Sequence, residues 1–209
     1  LAAVAEISKR TAIGDPERTS AIAALAAFVA RRDHSDIRQS GRIPEVSLAF
    51  KTLGRADLAD DQIDLRYADL EGLEVDRVSF SYLPLYGCTL FNSTITGSTF
   101  LSGNAQVVNF GSAWLGGCAF TSVLFAGSDF ANVFAAGTKF VDCIFANCIV
   151  TNADFSESTF INCDFTDERL TRAGRGPVRY SSGYPPKWPE GVEPETVSIL
   201  TCAPSSLRF

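Results

Sequence analysis

From Leu65 to Leu170 every fifth residue is apolar, without one polar interruption. A companion series two residues earlier, running from Ala68 through Cys88, Ser98, Ala113 and Ser128 to Cys163, is almost wholly small or slim. The positions between them are mostly Asp, Asn, Thr, Ser and Gly, which suit tight turns and a wet exterior. A helix keeps one face at a period of 3.6 and a strand at 2, so neither can hold a five-residue series on one side. The chain must turn a corner every five residues and wind into a solenoid with both series inside. At a spacing of twenty, Phe80, Phe100, Phe120, Phe140 and Phe160 form a uniform column, whereas a spacing of fifteen yields none, which favours four sides to a coil. Rising by about 4.8 Å per coil, residues 62–170 would make a rod on the order of 25 Å long.

The spelling, as in Ala68-Asp69-Leu70, Ser128-Asp129-Phe130, Ala153-Asp154-Phe155 and Cys163-Asp164-Phe165, resembles the pentapeptide-repeat family over about half of the chain. The resemblance implies a mainly β fold: a right-handed quadrilateral β-helix, four pentapeptides to a coil, with the central residue and the small residue both packed inside. Three regions follow. Residues 1–58 form an α-helical N-terminal cap, 62–170 the β-helix, and 171–209 an irregular C-terminal tail.

Asp15-Pro16-Glu17 spells a helix start, with a capping aspartate, proline at the first helical position and an acidic first turn. Ile22, Leu25 and Val29 share one face with Phe28 beside them. A second start at Pro44 leads through Val46, Ala49, Phe50 and Leu53 to Gly54. An uncovered β-helix end exposes strand edges and apolar core, so covering the first coil is the simplest role for these helices. Ser20–Arg32 and Ala49–Arg55 also resemble the helical preamble of some bacterial members of the family, in several of which transmembrane helices come before it. Beyond Arg172 the rhythm stops among glycines and prolines. Tyr184-Pro-Pro-Lys-Trp-Pro-Glu-Gly191 resembles the closing motif of the same subgroup, and Tyr180, Tyr184 and Trp188 are expected to cap the last coil rather than serve as a proline-rich ligand.

Cysteine usage and charge sharpen this picture. Cys88, Cys118, Cys143, Cys148 and Cys163 fall in the small inward series, where a thiol is a compact hydrophobe. Cys143 and Cys163 should stack one coil apart, but parallel side chains on a ladder do not readily take the dihedral of a disulfide, so free thiols and a reducing, cytoplasmic compartment are expected. The spacing of Cys143 and Cys148 matches no usual zinc pattern, and no cofactor or metal is called for. The longest apolar run, Ala21–Ala30, is too short to cross a bilayer. The chain starts at Leu1 and holds no methionine, which raises the expectation of a preceding segment and leaves a tether to the cytoplasmic face of a membrane open.

Catalysis has little to rest on. The single histidine, His34, sits in a charged loop-like stretch, the recurrent aspartates follow from the repeat, and no nucleophile or nucleotide motif stands out. The family's best-known role is mimicry of DNA by acidic rods that bind DNA gyrase and protect it from inhibitors. Residues 62–170 hold twelve acids against Arg66, Arg77, Lys139 and Arg169, the right sign but sparse beside a duplex. Direct nucleic-acid binding is not expected from an acidic rod. Trp114, Leu124, Phe134, Ile144 and Ile149 occupy outward positions that the repeat elsewhere gives to polar residues, and they point to a protein contact or self-association, unless the helices or the tail fold back over them. A non-catalytic binding scaffold is therefore the preferred reading, with gyrase mimicry the alternative.

Overall fold

The computed structural model describes residues 15–31, 43–54, 63–82, 85–165, 178–181 and 196–200. Two helices come first, α1 (Pro16–Val29) and α2 (Ile43–Leu53), followed by short strands that wind into a four-sided β-helix. His34 and the Tyr184–Gly191 motif lie outside the described residues.

Each coil lies on the next at a register of twenty residues, and all pairing is parallel. On one side, β2 (Ser79–Phe80), β4 (Thr99–Leu101), β5 (Ala119–Thr121), β6 (Lys139–Val141) and β7 (Thr159–Ile161) pair in succession. We call this the fourth side. The third begins with β1 (Glu74–Asp76) on β3 (Thr94–Thr96) and goes on through single bridges from Thr94 to Trp114, Phe134 and Asp154. The second runs Asp69, Thr89, Asn109, Asp129, Ile149, and the first Asn104, Leu124, Ile144, Asp164. β8 (Val178–Ser181) and β9 (Thr196–Leu200) extend the fourth side, with Tyr180 opposite Phe160. The tail thus contributes two short strands.

The backbone explains the five-residue rhythm. After each central apolar residue the chain closes a tight turn, such as Ala68 N–H to Leu65 O at 3.1 Å and Ser128 N–H to Phe125 O at 2.9 Å. The second residue of every such turn from Tyr67 to Asn162, Tyr82 excepted, has φ between 50° and 73°. Glycine and asparagine dominate this left-handed position because other side chains crowd the backbone there. Val107, at φ 56°, is the β-branched exception.

Inside, phenylalanines form stacks. Phe100, Phe120, Phe140 and Phe160 lie nearly parallel at centroid spacings of 4.9, 5.3 and 4.9 Å. A neighbouring column, Phe125–Phe145–Phe165, repeats at 5.0 and 4.6 Å. The two columns meet edge to face, as Phe120 and Phe125 do at 5.3 Å and 73°, the arrangement that ring quadrupoles favour. The slim inward series does more than save space. Ser128 Oγ donates to Ala105 O at 2.7 Å, Thr138 Oγ1 to Leu115 O at 2.6 Å and Cys118 Sγ to Ile95 O at 3.1 Å, each reaching a carbonyl of the coil before. Among the described residues no buried side-chain nitrogen or oxygen lacks a partner.

The helices close the N-terminal end. Asp15 caps α1 by accepting from Glu17 N–H at 2.8 Å, and Ala21, Ile22, Leu25, Ala26 and Val29 are buried. α1 packs on α2, and α2 lies on β1. Phe50 sits on Phe80 at 4.9 Å and so tops the aromatic column. Ser47 Oγ accepts from Glu74 N–H at 3.0 Å, Lys51 pairs with Asp76, and Gly54 O accepts from Ser79 N–H at 2.9 Å. A β-carbon on Gly54 would stand 2.7 Å from the Phe80 ring, so this junction requires glycine. No helix among the described residues is long and apolar enough to cross a membrane.

Two substitutions test this account. Phe120→Asp puts an unpaired charge into the stack and should abolish the cooperative unfolding transition followed by circular dichroism. Val107→Asn removes a β-branched residue from a left-handed corner and should raise stability by about 1 kcal/mol in urea titration.

Candidate functional site

The residue just before each central apolar one faces outward and carries the ladder between coils. Where it is Asp or Asn it also serves the turn that follows. Asp129 Oδ1 accepts from Ala131 N–H at 2.8 Å, Asn109 Oδ1 from Gly111 N–H at 2.8 Å and Asp154 Oδ1 from Ser156 N–H at 2.9 Å. Asp69 and Asn104 do the same at 3.1 Å. The recurrent aspartates are thus turn-closing acceptors, a role beyond solvation.

Trp114, Leu124, Phe134, Ile144 and Ile149 stand at this same position and cannot supply the acceptor. Trp114 is 56% exposed, Phe134 45%, Ile149 44% and Ile144 42%, while Leu124 is half-buried. The coil separates them into two groups. Trp114 and Phe134 adjoin on the third side, their rings 5.1 Å apart and tilted by 40°. Leu124 and Ile144 adjoin on the first side, with Ile149 around the corner on the second. Asp129 holds the second side between Leu124 and Phe134, so the five do not close a continuous girdle.

Two further surface features went unnoticed in the residue pattern. At the corner between the first and second sides, Tyr67 lies over Gly87, where a β-carbon would come within 2.5 Å of the ring. Tyr86 meets Tyr67 edge-on at 5.4 Å. At the corner between the third and fourth sides, Gly97, Gly117 and Gly137 follow one another between Arg77 and Glu157. Among the described residues, a β-carbon at Gly117 or Gly137 would meet nothing within 4 Å. The signal for this row was the recurrence of glycine at intervals of twenty, beside the tryptophan.

Charge gathers toward the two ends. Asp64 is paired with Arg66 at 2.7 Å, whose hydrogen bonds hold the carboxyl down to about 2. Arg77, its side chain 84% exposed, sets Nε 3.3 Å from Asp76 Oδ2. Asp142, Asp154, Glu157 and Asp164 belong to the later coils. The middle of the first and third sides is apolar.

Among the described residues Cys88, Cys118, Cys143, Cys148 and Cys163 are buried and form no disulfide. Burial pushes the Cys118 thiol up to about 11 and the Cys148 thiol up to about 12, and it also raises Cys143. Thiols so far above neutrality are poor nucleophiles. Among the described residues no His, Cys, Asp and Glu group could hold a metal ion. A small cavity of about 20 Å³ among Phe80, Leu85, Phe100, Ala105, Phe110 and Phe125 is lined by apolar side chains and offers no catalytic group.

Residues 138–173 match the family model described as pentapeptide repeats, in 8 copies. No curated protein matches the chain. Among solved structures, a pentapeptide repeat protein of the Arabidopsis thaliana thylakoid lumen is 22% identical, with 51% of this chain and 68% of that one covered and a TM-score of 0.30. QnrB1, a plasmid-mediated fluoroquinolone resistance protein, is 13% identical over 64% of this chain and 80% of its own, at a TM-score of 0.32. HetL, a pentapeptide repeat protein involved in heterocyst differentiation regulation in the cyanobacterium Nostoc, is 13% identical over 61% and 67%, at a TM-score of 0.20.

The thiols give a pH test. Below an ordinary thiol value of 9.0 neither folded nor unfolded Cys118 is ionised, while between 9.0 and about 11 only the unfolded chain releases the proton. Stability should therefore fall as pH rises through this window, and Cys118→Ser should lessen the fall in urea titrations at successive pH values. The turn acceptor gives another: Asp129→Asn should be nearly neutral, whereas Asp129→Ala should cost about 1 kcal/mol.

Proposed function

We propose that this chain, a pentapeptide-repeat β-helix, is a non-catalytic protein-binding scaffold that works through its outward apolar residues. One observation carries the reading. At five positions where the same coil elsewhere uses Asp or Asn to accept a turn N–H, it carries Trp114, Leu124, Phe134, Ile144 and Ile149 instead. These residues give up a turn hydrogen bond and set apolar surface in water, two disadvantages with no compensation in the exposed side chains themselves. Association supplies the compensation, since an aromatic pair such as Trp114 and Phe134 makes an effective anchor in an interface.

Several observations support binding over catalysis. The Cys118, Cys143 and Cys148 thiols are buried and held protonated, the aspartates of the repeat act in turns or ion pairs, and the described cavity is lined by apolar residues. Five buried thiols that form no disulfide among the described residues suit a reducing compartment, and we assign the protein to the cytoplasm on that ground. Mimicry of DNA toward gyrase would call for acids repeated along a side. On the first side Leu124 and Ile144 stand between Asn104 and Asp164, and on the third Trp114 and Phe134 stand between Thr94 and Asp154. The arrangement favours an apolar contact framed by polar residues.

Replacing Trp114 and Phe134 together with threonine should leave the circular dichroism spectrum and melting temperature of the β-helix intact. Light scattering and pull-down should then show weakened association, with itself or with another protein, relative to the wild type. Association that survives the double change unaltered would refute the third side as the contact.

A further inference from the structure

We propose that the cavity beside Ala105 is a binding site for one small nonpolar molecule, of the size of a gas atom or diatomic, entered between Leu101 and Gly103. It lies inside the coil and is independent of the outward contact argued above.

The cavity arises because two neighbouring inward positions are nearly bare. The central column of the first side reads Leu85, Ala105, Phe125, Phe145, Phe165, and the slim column beside it reads Gly103, Val123, Cys143, Cys163. Phe125, Phe145 and Phe165 stack at 5.0 and 4.6 Å, so the place one coil before Phe125 is that of a further ring, and Ala105 does not fill it. At the other alanine of the central series, Ala135, a valine stands two residues earlier, whereas at Ala105 it is glycine. The surroundings have closed in only in part. About 20 Å³ remains among Leu85, Leu90, Ile95, Phe100, Phe110 and Phe125. The adjoining pair Phe80–Phe100 is spaced at 5.8 Å, while Phe100–Phe120 and Phe140–Phe160 stand at 4.9 Å.

Size and lining select the guest. A volume of this order admits a single small molecule. Water in such a place needs about two to four polar partners. The lining side chains supply none, and backbone groups of the two bare residues are already engaged. Ala105 O accepts from Ser128 Oγ at 2.7 Å, Ala105 N–H donates to Leu124 O at 2.9 Å, and Gly103 O accepts from Leu124 N–H at 3.0 Å. A nonpolar guest needs no such partner and restores dispersion contacts to the walls. Leu101 and Gly103 provide the way in. Both line the cavity, yet Leu101 is exposed and Gly103 half-buried at the corner between the fourth and first sides, so the approach passes a residue without a side chain.

Methyl NMR spectra of the full chain under rising xenon pressure test this, with xenon as the probe. Signals of Leu85, Leu90, Ile95 and Val123 should shift along a saturating curve, while those of Val150, farther along the rod, should not. Ala105→Leu fills the space and should weaken xenon binding by about tenfold while raising the urea midpoint. Ala105→Val, a smaller addition, should weaken it in the same sense, and it keeps the test open if leucine overfills the core. Trp114→Thr should leave xenon binding unaltered, so this site and the outward contact stand or fall separately. No saturable shift at the lining methyls, an equal shift at Val150, or binding that both Ala105 variants leave unaltered would each overturn the proposal.

Discussion

The contact between one coil and the next, at a register of twenty residues, is what the rest of this molecule depends on. It aligns three ladders at once. Backbone N–H groups meet carbonyls along the outward positions, phenylalanine rings stack within, and hydroxyls and thiols of the slim series reach carbonyls of the coil before. A slip of one residue would break all three, because each central phenylalanine would leave its column as each turn acceptor left its N–H. Stability in such a rod is a matter of neighbours, which is why its ends need separate treatment.

At the N-terminal end that treatment is visible. Phe50 from α2 extends the aromatic column by one ring, Ser47 and Gly54 accept N–H groups of the first coil, and Lys51 answers Asp76. A helix thus completes both the apolar and the polar pattern of a strand edge. At the other end β8 and β9 continue the fourth side, so the ladder does not stop at Ile161.

With the interior committed to stacking, the outward position is the place where function can vary. Most of its residues still serve the fold, the aspartates by closing turns. The side chains of the five apolar ones close no turn, and the two aromatic ones lie next to a glycine row that no side-chain contact among the described residues requires. The surface is therefore informative where it departs from what the coil needs, and those departures are concentrated in the middle coils.

The sequence alone determined the coil. A strict five-residue period in apolar and small residues leaves no other regular solution, and the phenylalanines at intervals of twenty identify the coil length, because both patterns are local and repeat without a break. The helix starts at Asp15 and Pro44 were legible for the same reason, since caps and proline act within one turn. Which residues adjoin across coils was also countable from the register. What only the tertiary structure decided was the meaning of particular side chains. That the five apolar residues fall into two groups depends on which side of the rod each corner turns toward. That the aspartates close turns depends on the distance from carboxylate to N–H. That a β-carbon at Gly87 would meet the Tyr67 ring, while one at Gly117 or Gly137 would meet nothing among the described residues, depends on whether a tyrosine ring from another coil lies above, and spacing along the chain carries no record of the space above a residue.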